Sequence, residues 1–135
     1  MTLCDAGPMV ALVDADDPYH QQCVQAAAMM QPLVVTTWPC LTEAMHLLYR
    51  AAGLKAQNDL WAYLAKGVLR LHLPLEDEWK RMHQLMNQYA DLRLDLADAS
   101  LVCAAERLND YRLFSVDNSL RAIQLSGQHY FDLVP

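Results

Sequence analysis

The chain has 135 residues, 54% of them apolar and 19% charged, which is enough for a packed core in one domain spanning 1–135. A net charge of −6 excludes gripping nucleic acid by bulk electrostatics, because phosphate contacts require Lys and Arg and residues 1–49 hold neither. No apolar run approaches the roughly 18 residues that cross a bilayer, and no basic leader opens the chain, so the expectation is a cytoplasmic protein away from membranes.

The first stretch, Met1–Asp14, predicts a short strand that ends at Asp5, a break at Gly7-Pro8 and then a helix through Val13. A strand at the very start needs cover on both sides, which suits the centre of a parallel sheet. Asp17 followed by Pro18 reads as the cap of a helix to about Met30. Leu33–Thr37 has the β-branched run of a second strand. Trp38–Ala52 is a helix apolar almost all round, ended by Gly53, and Leu54–Lys66 is another, closed by Gly67. Val68–Leu73 alternates as a third strand. Glu76–Ala90 is a surface helix with Trp79, Met82, Leu85, Met86 and Tyr89 on one stripe. Asp95–Asn109 is the next helix, Arg112–Val116 a fourth strand, Asn118–Leu125 a short helix and Tyr130–Val134 a last strand. Strands separated by helices predict an α/β fold: three layers, with a central, mostly parallel sheet of about five strands and helices on both faces.

In such sheets ligands bind outside the carboxyl ends of the strands, which makes the acids there the candidates for chemistry. Asp5 ends the first strand and Asp117 follows the fourth, although Asp117 alone also suits a turn or cap. Ser115 adds a second polar group beside Asp117. Glu43 is the one acid in Trp38–Ala52; buried there without a partner it would need a cation, a hydrogen-bond network or a raised pKa. Asp98 starts the stripe Asp98, Leu101, Val102, Ala105 that faces the sheet, and Asp95 sits one turn earlier, as a cap with Asp98 as its partner in a capping arrangement. Carboxylates converging on one sheet edge repel one another unless a divalent cation neutralises them, and oxygen-only ligands favour Mg²⁺ or Mn²⁺. Such a site suits phosphodiester hydrolysis.

Other chemistries lack their letters. The four glycines cannot form a phosphate-binding loop, Gly7 stands where an aspartyl phosphatase would carry its second Asp, and no H-E-x-x-H or G-x-S-x-G occurs. Cys4, Cys23, Cys40 and Cys103 form no C-x-x-C pair and read as buried free thiols without a chemical role. Arg50, Lys55, Lys66, Arg70, Lys80 and Arg81 fall in the middle third, either as solvated helix faces or as a rim for RNA.

Leu3–Leu12, Thr36–Ala44 with its Thr-Glu-Ala, Asp95–Val102, Phe114-Ser-Val-Asp117 and the closing Phe131–Pro135 occur in the order and spacing of PIN-domain proteins. The chain resembles that family, specifically the small VapC-type ribonuclease toxins of toxin–antitoxin pairs. The resemblance implies a PIN-like fold and an endoribonuclease dependent on Mg²⁺ or Mn²⁺. Asp5, Asp98 and Asp117 would hold the metal, Glu43 would hold metal or orient water, and Ser115 and Asp95 would support them. It further implies an RNA substrate, an antitoxin partner and a homodimer, for which Tyr49, Trp61 and Tyr63 offer apolar surface. After Asp117 the chain reads Asn118-Ser119-Leu120 where the family often carries Asp-Phe and basic residues, and Gly127-Gln128 stands for the usual Gly-Arg. The acidic balance also fits a second hypothesis, a catalytically weak or inactive PIN-fold module that acts by binding protein or RNA.

Overall fold

The computed structural model describes residues 1–135. Five strands, β1 (Thr2–Cys4), β2 (Val34–Thr37), β3 (Leu69–His72), β4 (Arg112–Phe114) and β5 (Asp132–Val134), form one sheet in the order β3-β2-β1-β4-β5. Every pairing is parallel, with Leu3 opposite Val35 on one side and Leu113 on the other. The α/β architecture expected from the sequence is therefore present, with β1 at the sheet centre.

The helices are α1 (Ala6–Val13), α2 (His20–Ala28), α3 (Trp38–Ala65), α4 (Glu78–Gln88) and α5 (Leu96–Leu108). The chain steps outward from β1 to β2 to β3, then returns past β1 to β4 and β5. Because parallel crossovers are right-handed, that reversal puts α1, α2 and α3 on one face and α4 and α5 on the other. Helix α5 is the innermost: Ala97 and every residue from Ala99 to Ala105 are buried. They join Leu3, Leu41, Leu48, Leu113 and Phe114 in one apolar core. No helix is long and apolar enough to cross a membrane.

Several boundaries differ from the sequence reading for local reasons. Gly7-Pro8 does not break the chain before α1. The helix already starts at Ala6, and Pro8 sits in the first turn, where its missing N–H has no intrahelical acceptor to lose. Asp17 does not cap α2; its side chain closes a turn on the Tyr19 N–H at 2.8 Å and the helix begins at His20. Trp38–Ala65 is bent at Gly53, whose φ of 73° and ψ of −160° are open only to glycine, and Gln57 Nε2–H donates across the bend to the Met45 carbonyl at 3.0 Å. The expected helix Asn118–Leu125 contracts to one 3₁₀ turn, Ser119–Ala122.

The expectation that Trp38–Ala52 is too apolar for the surface is overturned. Cys40, Leu41, Ala44 and Leu48 face inward, whereas Trp38, Glu43, Leu47 and Tyr49 face out. An apolar residue on a helix does not by itself mark a buried side, since much of any folded surface is apolar.

Gly7 fixes how closely α1 approaches the segment after β4. A Cβ at this position would lie 2.7 Å from Val116 Cγ2, and a β-branched side chain has little freedom to move away. Gly7→Ala is expected to destabilise the protein by about 1–3 kcal/mol through overpacking, measured by urea denaturation. A stability equal to wild type would show that the segment after β4 yields freely.

Candidate functional site

The site lies at the carboxyl ends of β1 and β4, neighbours in the sheet at the point where the strand order reverses. Asp5 directly follows β1. Its backbone N–H donates to the Phe114 carbonyl at 3.0 Å, and its Oδ1 caps α1 by accepting the Ala6 N–H at 2.7 Å. Its Oδ2 accepts the Ser115 hydroxyl at 3.0 Å. Ser115 Oγ in turn accepts the Asp117 N–H at 3.1 Å, and Asp117 Oδ1 accepts the Ser119 N–H at 2.9 Å. Asp5, Ser115 and Asp117 are thus brought together, with Asp5 half-buried and Asp117 exposed.

Asp95 and Asp98 form a reciprocal capping box at the start of α5. Asp95 Oδ1 accepts the Asp98 N–H at 2.8 Å, and Asp98 Oδ2 accepts the Asp95 N–H at 3.2 Å. Asp98 is half-buried, on the stripe with buried Leu101, Val102 and Ala105 that the spacing predicts. Glu43 stands on the outer side of α3. It lines a cavity of about 610 Å³ with Asp95, Trp38, His46 and Leu96. It is exposed, so the buried, unpaired charge expected from the sequence does not occur.

Two features hold these elements together that the sequence reading did not assign. A chain of donors runs from the Cys40 N–H to Thr37 Oγ1 at 3.4 Å, on to Ser100 Oγ at 2.6 Å and from there to the Ala97 carbonyl at 2.6 Å. It fastens the start of α3 to the first turn of α5. The buried Cys40 thiol lies 3.8 Å from Asp5 Oδ1 and 3.7 Å from the Ala97 carbonyl. Burial, followed by the charge of Asp5, raises the thiol pKa, so the sulfur keeps its proton as a donor. A sequence signal exists for both. Ser100 is the one hydroxyl in the apolar run Ala99–Ala105, and Cys40 precedes Glu43 by one helical turn.

The acids carry the mark of mutual repulsion. Burial raises the Asp5 pKa, the bonds from Ala6 and Ser115 oppose that, and the charges of Asp117 and Asp95 add to it. Glu43 is raised by desolvation and then by Asp5 and Asp95. Asp98 is pushed up to about 7, first by burial; the Asp95 N–H opposes this and the Asp95 carboxylate reinforces it. No ion pair reaches any of the five acids. Lys55 and Arg81, from the candidate basic rim, pair instead with Asp59 and Glu106. The donor set is therefore oxygen-only and cation-poor, the chemistry of a hard divalent ion. The side chains are nonetheless spread wider than a finished ligand set: no three His, Cys, Asp or Glu groups are gathered to hold a metal.

No protein-family model matches the chain. It is 25% identical over 137 residues to ribonuclease VapC26 of Mycobacterium tuberculosis, covering 98% of this chain and 99% of that protein. The crystal structure of Mycobacterium tuberculosis VapC20, described as a sarcin–ricin loop cleaving toxin, superposes with a TM-score of 0.81 at 20% identity over 87% of this chain and 91% of that one. The fold is that of a VapC-type PIN domain. A toxin–antitoxin complex from Klebsiella pneumoniae is also similar, with a TM-score of 0.69 and 15% identity over 97% of this chain and the whole of that one. The resemblance to VapC-type proteins thus extends over nearly the whole chain in sequence as well as in fold.

The acidic cluster gives a signed pH dependence. Asp98 titrates near 7 in the folded chain against 3.8 ordinarily, so between those values the folded state holds the extra proton and stability falls as pH rises. Asp98→Asn keeps the capping acceptor and removes the charge. In EDTA it is expected to raise stability at about pH 8 by about 1 kcal/mol, after discounting for solvent screening, and to change little near pH 4. Urea denaturation at the two pH values checks this; equal gains at both would place the effect outside titration.

Proposed function

We propose that the chain is a metal-dependent endoribonuclease, the toxin of a type II toxin–antitoxin pair acting in the cytoplasm. The observation that carries this reading is the convergence at the β1–β4 switch point. Half-buried Asp5 is held by Ser115 beside Asp117, with Asp98 and Glu43 on the two adjoining helices and no cation among them. The likeness to ribonuclease VapC26 and the fold of the sarcin–ricin loop cleaving toxin VapC20 support RNA as the substrate.

In this reading Asp5, Asp98 and Asp117 hold Mg²⁺ or Mn²⁺, while Glu43 holds the ion or orients water and Ser115 and Asp95 position their neighbours. The ion, when bound, activates water, orients the phosphate and offsets charge on the leaving oxygen. The protein's own groups set the stage. Ser115 and Ala6 aim the two oxygens of Asp5, and the raised pKa of Glu43 brings it closer to accepting a proton near neutral pH. The structural likeness to a toxin–antitoxin complex supports an antitoxin as partner, and exposed Leu47, Tyr49 and Leu54 on α3 offer apolar surface for it or for a homodimer.

A second reading, a PIN-fold module that binds without cutting, is favoured by one observation: no three acids are gathered as ligands. One pair of measurements separates the two. The partner-free protein is titrated with Mn²⁺ by calorimetry and assayed for cleavage of single-stranded RNA, with Asp5→Asn beside it. Asn caps a helix as well as Asp does, so α1 is expected to persist. The endoribonuclease binds Mn²⁺ and cuts, and Asp5→Asn loses at least about 100-fold in cleavage. Undiminished cleavage by the variant, or a wild type that neither binds nor cuts, overturns the assignment.

A further inference from the structure

The rim formed by the carboxyl ends of the strands does not stop at the acids. Beyond β1 it continues past β2 to β3 at the sheet edge, where a cavity of about 430 Å³ opens between α3, α4 and α5. Trp38 and Trp79 line it together with His72, Leu75 and Met82 and the buried Thr37 and Ser100. The two indoles come from different helices and are 45% and 59% exposed, so ring surface is open to a ligand rather than used in the core. Trp79 belongs to the apolar stripe of α4, yet only Leu85 of that stripe is fully buried.

We infer that this cavity is a nucleobase subsite, in which Trp38 and Trp79 stack on a base of single-stranded RNA next to the phosphodiester held at the acids. The inference rests on the endoribonuclease reading above and adds how that enzyme holds its substrate. Continuity is the first argument: Trp38, Pro39 and Leu96 line both this cavity and the one that contains Glu43 and Asp95. A nucleotide with its phosphate at the carboxylates would have its base one cavity away.

Charge is the second argument. No Lys or Arg lines either cavity, and the chain carries a net charge of −6, so these two cavities supply no ion pair to a phosphate. A base is neutral and has a π-face, and stacking on aromatic side chains is the sequence-tolerant way to hold a single strand. The polar groups favour a ring with hydrogen-bonding edges over a purely apolar guest. His72 Nε2, already 3.2 Å from Glu78 Oε1, and the carboxylate of Glu76 border the same space.

The test measures binding by fluorescence anisotropy in Ca²⁺, with a labelled hexaribonucleotide and an abasic ribose-phosphate hexamer of equal charge. The base-bearing oligomer is expected to bind at least about tenfold more tightly than the abasic one. Trp79→Ala should erase about tenfold of that difference, Trp79→Phe should keep most of it, and salt should weaken binding only shallowly. Equal binding of the two oligomers, or an unaltered preference in Trp79→Ala, overturns the subsite. So does displacement of neither oligomer's weak binding alongside tight capture of a Leu- and Phe-rich peptide lost in Trp79→Ala, which would make the cavity a protein-docking groove.

Cleavage of the same hexaribonucleotide in Mn²⁺ separates this inference from the activity it rests on. A raised KM with unchanged kcat in Trp79→Ala supports the subsite. Cleavage with unchanged KM keeps the nuclease and removes the subsite, whereas base-dependent binding without cleavage by the wild type keeps the subsite and removes the nuclease.

Discussion

A carboxylate at the end of the central strand, half-buried and without a cation, is the constraint around which the rest of this structure is arranged. Asp5 is stabilised by donors that three separate segments bring to it. The Ala6 N–H comes from the start of α1, the Ser115 hydroxyl from the segment after β4, and the Cys40 thiol from α3. The last two of these segments meet Asp5 because β1 sits in the middle of an all-parallel sheet, with β2 and β4 on either side. The strand order is therefore what puts donors within reach of Asp5. The same order brings Asp117 close enough for its charge to raise the Asp5 pKa.

The helices carry the second layer of this arrangement. Asp95 and Asp98 satisfy each other's backbone at the start of α5, a favourable use of negative charge at a helix N-terminus. Burial first, and then the charge of Asp95, nevertheless push Asp98 up to about 7, and the bond from the Asp95 N–H offsets only part of this. The Thr37–Ser100 hydroxyl pair, 2.6 Å apart in the core, links the start of α3 to α5 just behind these acids. A leucine and an alanine there would pack as well in apolar terms, but would not orient the two helix starts with respect to each other. The cost of placing charge near the acids thus lies next to a polar fastening just behind them.

Asp5 was legible because β1 stops abruptly at it, whereas the fourth strand, expected to run through Val116, ends at Phe114, so Ser115 marks its end and Asp117 lies in the turn that follows. Asp98 was legible through helical spacing, and its capping partner through the three-residue offset. Burial of Glu43 was misjudged because an apolar count cannot say whether Trp38, Leu47 and Tyr49 are covered by this chain or left bare; the fold leaves them bare. For Cys40 and the Thr37–Ser100 pair the sequence marked the residues but not their partners. Those partners lie 35 and 63 residues away, and nothing local in a thiol or a hydroxyl reveals which distant side chain it will meet. Gly7 looked like a turn residue. Its role is the absence of a side chain against Val116, a contact made by tertiary packing alone.

An acidic protein proposed to act on an anionic polymer has to separate the group that tolerates the phosphate from the groups that provide affinity, and this sheet has room to do so along one edge. The acids cluster at the ends of β1 and β4, where a divalent ion would reverse the local charge. The exposed tryptophans stand past the ends of β2 and β3, where neither cavity lining contains a cation. Were affinity supplied by Lys and Arg beside the acids, they would pair with Asp5 and Asp98, lower their pKa values and compete with the metal for the same oxygens. Lys55 and Arg81 are instead engaged with Asp59 and Glu106 elsewhere on the surface. An uncharged aromatic surface leaves the carboxylates free for a metal, which is a physical reason for a nuclease of this charge to hold its substrate by the bases.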